Sequence, residues 1–113
     1  MKDEQEKRIQ RIVKSAQSRD EYTIFETWHA YLEKHLKVPF NAVVAEYQSG
    51  SIRGGDQVTV MGISELEDLY GTLVHVKHKR EIYELPLCDL KALNADTQTE
   101  QLVDDYAVWF ANR

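Results

Sequence analysis

Three carboxylates fall within four residues near the middle of the chain. Glu65, Glu67 and Asp68 follow Ser64 in a segment, 63–69, that contains no basic residue. Carboxylate and hydroxyl oxygens are the ligands of hard cations such as Ca²⁺, which takes about six to eight of them. Spacing alone favours a solvated acidic loop, and the Asp-x-Asp-x-Asp-Gly pattern of an EF-hand is absent. The segment is therefore a candidate cation site, with a solvated loop as the alternative.

The other residues with chemical potential do not combine into a catalytic pattern. The chain contains no Gly-x-Ser-x-Gly, no phosphate-binding Gly-x-x-x-x-Gly-Lys motif and no Gly-x-Gly-x-x-Gly motif. His75 and His78 are three residues apart on a predicted strand, so they point to opposite faces. Cys88 is the single cysteine, and we interpret it as a small hydrophobic core residue. We therefore predict that the protein is not an enzyme.

A short basic segment suggests a different kind of ligand. Lys77, His78, Lys79 and Arg80 form the predicted tip of a hairpin, and nucleic-acid-binding proteins combine such charges with exposed aromatic rings. Tyr83 is the only aromatic residue near this tip. Residues 20–113 carry a net charge of -8, which repels a nucleic-acid backbone. The charge therefore argues against nucleic acid as a partner, and a binding module for a protein or nucleic acid without metal stays the alternative function.

The charge distribution divides the chain of 113 residues, which has room for one modest core. Residues 1–19 carry a net charge of +3, although the whole chain carries -5. Ile9, Ile12, Val13 and Ala16 share one face of a predicted helix in this segment. We predict a basic helical arm over 1–19 and a single α+β domain over 20–113. The arm is a candidate contact for an acidic partner, although packing against its own acidic domain is the preferred interpretation.

The chain also carries signals for its cellular compartment. No apolar run is long enough to span a membrane, and the first residues lack the apolar segment of a signal peptide. Cys88 has no second cysteine with which to form an internal disulfide. These features predict a protein of the reducing cytoplasm.

Hydrophobic periodicity and glycine turns predict the elements that position these residues. Short alternating runs predict a small, strongly bent antiparallel sheet that is typical of an SH3-like barrel, flanked by N-terminal and C-terminal helices. The predicted elements are a helix over 21–37, strands near 42–45, 57–62, 70–78 and 81–86, an acidic connection over 63–69 and a helix over 98–111. Ser18 with Glu21 and Thr97 with Glu100 match capping boxes at the two helix starts. The predicted core consists of Trp28, Leu32, Leu36, Phe40, Val58, Val60, Val74, Val76, Leu85, Tyr106 and Trp109.

An ordered set of motifs over residues 25–110 resembles the CcbP-like family of small bacterial calcium-binding proteins. The motifs are Trp28-x-x-Tyr31-Leu32-Glu33, Pro39-Phe40-x-Ala42, Gly55-Asp56-x-Val58-x-Val60-x-Gly62, the acidic segment 63–69, Leu85-Pro86-Leu87-x-x-Leu90 and Asp105-Tyr106-x-x-Trp109. No single motif is specific, and the resemblance rests on their order.

The resemblance implies a small α+β domain that binds Ca²⁺ through surface carboxylates, as an intracellular calcium buffer or sensor. It implies Glu65, Glu67 and Asp68 as metal ligands, and it adds Glu33 and Asp105 because both lie inside matched motifs. The chain departs from the family pattern at Lys34, where relatives carry an acid, and in its basic segments.

Overall fold

The computed structural model describes residues 2–45 and 51–113, with side chains described from residue 4 onward. The described residues form three helices and one antiparallel sheet. In chain order the elements are α1 (Lys2–Lys14), α2 (Glu21–His35), β1 (Phe40–Val44), β2 (Gln57–Glu67), β3 (Gly71–His78), β4 (Glu81–Pro86), a 3₁₀ turn (Leu87–Asp89), β5 (Leu90–Ala92) and α3 (Thr97–Asn112). The α+β class and the antiparallel sheet are therefore confirmed. The glycine-rich stretch 48–56 also predicts a turn-rich loop, of which residues 48–50 lie outside the described residues.

The sheet has five strands in the order β4-β3-β2-β1-β5. Its strands are joined antiparallel, with Val60 opposite Val76 and Ala42 opposite Ala92. Two register shifts interrupt the β2–β3 pairing, between Val60 and Gly62 and between Ile63 and Leu66. Such irregularities bend a strand and increase its twist. In the described part of the chain no pairing joins β4 to β5, so the SH3-like barrel stays a prediction.

The core lies between the sheet and the helices, and Trp28 is at its centre. The Trp28 ring is fully buried and lies 5.4 Å from the Tyr106 ring and 5.5 Å from the Trp109 ring. Every predicted core residue is buried except Trp109, which is half-buried. Ile9 and Ile12 of α1 belong to the same buried cluster. The N-terminal helix therefore packs against its own domain.

Aspartate residues, and not the predicted Ser18 and Thr97, cap the two long helices. The Asp20 carboxylate accepts a hydrogen bond from the Thr23 amide at 3.0 Å, and the Asp96 carboxylate accepts one from the Thr99 amide at 2.8 Å. Each aspartate immediately precedes the first helical residue, which is the position from which a side chain reaches these amides. Ser18 lies two residues before the capping Asp20, and Thr97 is already the first residue of α3. Both predicted capping boxes were therefore placed at the wrong residue.

A hydrogen bond ties α3 to the start of β3. The Thr72 amide donates to the Tyr106 hydroxyl at 2.9 Å, and the preceding Gly71 has a φ of +71°. A Cβ atom at Gly71 would lie 2.4 Å from the Tyr106 hydroxyl oxygen. Glycine at this position therefore provides both the left-handed backbone and the space for the tyrosine.

Candidate metal centre

The acidic segment is mostly strand and not the connecting loop that the sequence predicts. β2 extends to Glu67, and only the turn at 68–70 connects it to β3. Glu65 and Glu67 are exposed, and the half-buried Leu66 lies between them. Alternation along a strand therefore places the two glutamates on the same side of β2. The prediction of a loop was wrong because the apolar–polar alternation of β2 continues through the acidic residues.

The end of this strand adjoins the start of α2. Asp68, in the turn, lines a surface hollow of about 310 Å³ together with Asp20 and Glu21. The aromatic rings of Tyr22 and Phe25 complete the lining. Three acidic residues from two separate parts of the chain therefore line one concave surface. Oxygen ligands of this type suit Ca²⁺ better than softer metals.

Local hydrogen bonds keep one of these carboxylates charged. The Asp20 carboxylate accepts from the Thr23 hydroxyl and from the Thr23 amide, and both bonds end on Oδ2. The hydroxyl bond first, and then the amide bond, lower the pKa of Asp20 below its ordinary value. The Oδ1 atom takes no part in these two bonds with Thr23.

Glu21 has a competing partner at the chain terminus. Its Oε2 atom lies 3.3 Å from Arg113 Nε, and the Glu21 side chain is 63% exposed. The Arg113 guanidinium also lies over the Phe110 ring, 3.9 Å from its centroid. Exposed ion pairs of this kind are worth little energy, so a cation at the hollow would compete with Arg113 at small cost.

The two remaining predicted ligands lie elsewhere. Glu33 is exposed on α2, where its nearest ionic partner is His29 Nε2 at 3.8 Å. Asp105 is buried on α3 and is bound by Arg8 of α1 at 2.8 Å and 3.0 Å. The hydrogen bond to Asp105 is the main reason that the pKa of Arg8 lies above its ordinary value. A cation could reach Asp105 only if it displaced Arg8.

No preformed cage is present among the described residues. In residues 4–45 and 51–113, no three histidine, cysteine, aspartate or glutamate side chains are close enough to hold a metal ion together. Ser64, within the acidic segment, donates to Glu84 of β4. The acidic hollow fits Ca²⁺ in the chemistry of its donors, and the other ligands must come from backbone oxygens or water.

Sequence reasoning missed Asp20 and Glu21 as candidate ligands. Both were visible as an acidic pair at a predicted helix start, but Glu21 was assigned only to a capping box. Their proximity to Asp68 depends on how α2 packs against the β2–β3 turn, which local patterns do not encode.

Cys88 shows no sign of nucleophilic activation. Burial, followed by the charge of Asp89, raises the pKa of its thiol to about 12. A thiol needs a cationic neighbour to become reactive, and a nearby carboxylate has the opposite effect.

No helix in the described part of the chain is long and apolar enough to cross a membrane.

Comparison with known proteins supports the resemblance. A family model for calcium binding, named for CcbP, matches residues 6–110. Among solved structures, the crystal structure of CcbP from Anabaena superimposes with a TM-score of 0.77 at 24% identity, and the match covers 96% of this chain and 90% of that one. A calcium-binding protein in its calcium-binding form has a TM-score of 0.73 at 24% identity, with the same coverage of both chains. No curated protein matches this chain. The family match extends over nearly the whole sequence, and the chain therefore belongs to the CcbP family of calcium-binding proteins.

Proposed function

We propose that this protein binds Ca²⁺ at the acidic hollow between α2 and the β2–β3 turn. The observation that carries the proposal is the approach of Asp68 to Asp20 and Glu21 on one concave surface. Membership of a calcium-binding family supports the choice of ion. Asp68 belongs to both the hollow and the predicted acidic segment, so it is the central residue of the proposed site.

Glu67 and Glu65 take a supporting role in this proposal. Glu67 directly precedes Asp68, and Glu65 lies two residues further back on the same side of β2. Their exposed carboxylates add negative charge beside the hollow and offer further ligands. Because water and backbone atoms must supply several oxygens, the affinity should be lower than that of a rigid loop with a full set of ligands.

Glu33 and Asp105 are the alternative ligands. Ca²⁺ at Asp105 would have to replace the Arg8 guanidinium, which makes two hydrogen bonds to this carboxylate. Removing one partner of a buried charge pair strongly destabilises the folded protein. The exposed hollow carries no such penalty and is the preferred site.

Thermal unfolding in EDTA, Mg²⁺ or Ca²⁺ tests the proposal. A ligand that binds only the folded state adds roughly 2.7 kcal/mol of stability at about a hundredfold excess over Kd. We expect Ca²⁺ to raise the Tm on the order of 10 °C under these conditions, and Mg²⁺ to raise it less. No Ca²⁺-specific rise in the parent protein would contradict Ca²⁺ binding by this chain.

Two variants with the same change in net charge locate the site. Asp20→Asn/Asp68→Asn removes two carboxylates of the hollow, and asparagine caps a helix about as well as aspartate. Glu26→Gln/Glu33→Gln removes two exposed acids of α2 outside the hollow. We expect only the first variant to lose the Ca²⁺ shift. Loss in the second variant alone would place the site near Glu33.

A second substitution set separates the strand from the hollow. Glu65→Gln/Glu67→Gln should weaken the Ca²⁺ response, and addition of Asp68→Asn should abolish it. A full response in the triple variant would move the site away from the acidic turn.

The biological role that we propose is that of a cytoplasmic calcium buffer or sensor without enzymatic activity. The single cysteine and the acidic surface support this role. The family match does not favour the alternative of a metal-free binding module.

A further inference from the structure

A cationic cleft lies between the three helices of this acidic protein. Residues of α1, α2 and α3 enclose about 280 Å³, and the walls include Arg8, Arg11 and His35. Among the described residues, Asp105 is the only acid in the lining, and its carboxylate is already bound by Arg8. Two arginines therefore face one acid in the described lining, although the charges of Glu4 and Asp104 also reach Arg8 and the whole chain carries a net charge of -5.

The two arginines retain donors for a ligand. Arg8 binds Asp105 through Nε and Nη2, so Nη1 takes no part in that pair. Arg11 is exposed, and no carboxylate in the described residues forms an ion pair with it. The side-chain amides of Gln98 and Gln101 lie on the α3 wall. Guanidinium and amide groups in this arrangement suit an anionic group with several oxygen atoms.

The remaining surface of the cleft is apolar and aromatic. Ile12 and Leu102 contribute aliphatic surface between the polar walls. Tyr31 is 37% exposed, and its ring centroid lies 4.2 Å from that of His35. The exposed Tyr31 ring offers a flat ligand a stacking surface, and arginine donors that no described residue occupies offer charge neutralisation.

We propose that this cleft binds a small aromatic anion, a flat ring that carries one phosphate or carboxylate group. The anionic group contacts Arg11 and the Arg8 Nη1 atom that is not used in the pair with Asp105, and the ring packs against Tyr31 and the aliphatic side chains. The volume corresponds to roughly nine water molecules, which limits the ligand to about ten non-hydrogen atoms. This site shares no residue with the acidic hollow and does not depend on Ca²⁺ binding there.

Phenyl phosphate and benzoate are suitable probes, titrated in EDTA so that no divalent cation bridges the anion to a carboxylate. Binding is followed by backbone amide chemical shifts of the full chain. Arg11→Gln removes the free charge, and Lys7→Gln is the matched control because Lys7 is exposed on the same helix outside the cleft. Neither residue forms an ion pair with another described residue, so both variants should fold.

We expect at least one probe to shift the amides that surround the cleft, and Arg11→Gln to weaken its binding about tenfold. Lys7→Gln should leave the affinity within a factor of about two, and inorganic phosphate and phenol should bind more weakly than phenyl phosphate. Equal losses of probe affinity in both variants would show that any positive charge on α1 attracts the anion, and this result would overturn the proposal. Shifts that lie outside the cleft, or no shifts with either probe, would also overturn it.

Discussion

Arg8 and Asp105 form a two-pronged ion pair that joins the first helix to the last. Arg8 Nε lies 2.8 Å from Asp105 Oδ2, and Nη2 lies 3.0 Å from Oδ1. The Asp105 side chain is 3% exposed and the Arg8 side chain 30%. A buried carboxylate needs such a partner, because an isolated charge in the interior is strongly disfavoured. The N-terminal helix therefore supplies charge compensation as well as apolar contact.

Removing this guanidinium should destabilise the whole fold. We expect Arg8→Met to lower the free energy of unfolding by about 2 kcal/mol, since it leaves Asp105 buried without its counter-charge. Urea denaturation measures the change, and Lys7→Met is the control on the same helix. Equal stability of the two variants would contradict the structural role of the pair.

The Tyr106 hydroxyl should contribute to stability through one hydrogen bond. Tyr106→Phe leaves the Thr72 amide buried without its acceptor, which costs about 1–3 kcal/mol. Urea denaturation of the variant measures this loss. Tyr83→Phe is a suitable comparison, because the Tyr83 hydroxyl bonds only to the exposed Glu81 and Ser51 side chains in the described residues. An equal loss in the two variants would contradict the assignment.

Gly71 and Tyr106 should be energetically coupled. Gly71→Ala places a Cβ atom against the Tyr106 hydroxyl and imposes a positive φ on alanine, so it should cost at least about 2 kcal/mol. In the Tyr106→Phe background the hydroxyl is absent and the cost should fall by about 1 kcal/mol. Additive effects in this double-mutant cycle would contradict the coupling, because they would show that the new Cβ atom does not press against the Tyr106 hydroxyl.

Alkaline pH should weaken the folded state through two buried groups. Burial raises the pKa of Tyr106 from 10.0 to about 12, against a smaller opposite effect of its bond with Thr72. Burial and Asp89 raise the pKa of Cys88 from 9.0 to about 12. The unfolded chain therefore loses these protons first, so their contribution is complete below pH 9 and is lost as the pH rises towards 12.

Urea midpoints measured across this range check the expectation. Stability should decline above pH 9, where more than half of the thiol is ionised in the unfolded chain. The urea midpoint of Tyr106→Phe/Cys88→Ala should fall less steeply with pH than that of the parent protein, even if the variant is less stable at neutral pH. An identical slope in the parent and the double variant would assign the pH dependence to other groups.

The helices and most of the sheet could be predicted because their information is local. The apolar stripe with Trp28 and Leu32 identified α2, and alternating valines identified β3. β5 was missed since it is only three residues long and exists through its pairing with β1. The strand character of Glu65 and Glu67 was obscured by their charge, which matched the expectation of a loop.

The candidate site was harder to predict than the fold. Asp105 lay within a recognised motif, but nothing near it in sequence indicates that Arg8, 97 residues away, occupies its carboxylate. Asp20 and Glu21 join Asp68 only through the packing of α2 against the β2–β3 turn. Contacts of this kind depend on tertiary structure, so single-sequence patterns identify residue types and not their partners.

Sensitised Tb³⁺ luminescence is the most direct test of the acidic hollow. Tb³⁺ takes oxygen ligands as Ca²⁺ does, and it emits when a nearby excited tyrosine transfers energy to it. Tyr22 lines the hollow and is 42% exposed. We expect bright emission from the parent protein, and we expect Ca²⁺ to displace Tb³⁺ and reduce this emission. Tyr22→Phe should give weaker emission at unchanged Tb³⁺ affinity. Asp20→Asn/Asp68→Asn should lose Tb³⁺ binding, and Glu26→Gln/Glu33→Gln should keep it. Emission that survives Asp20→Asn/Asp68→Asn at the parent affinity would contradict the proposed site.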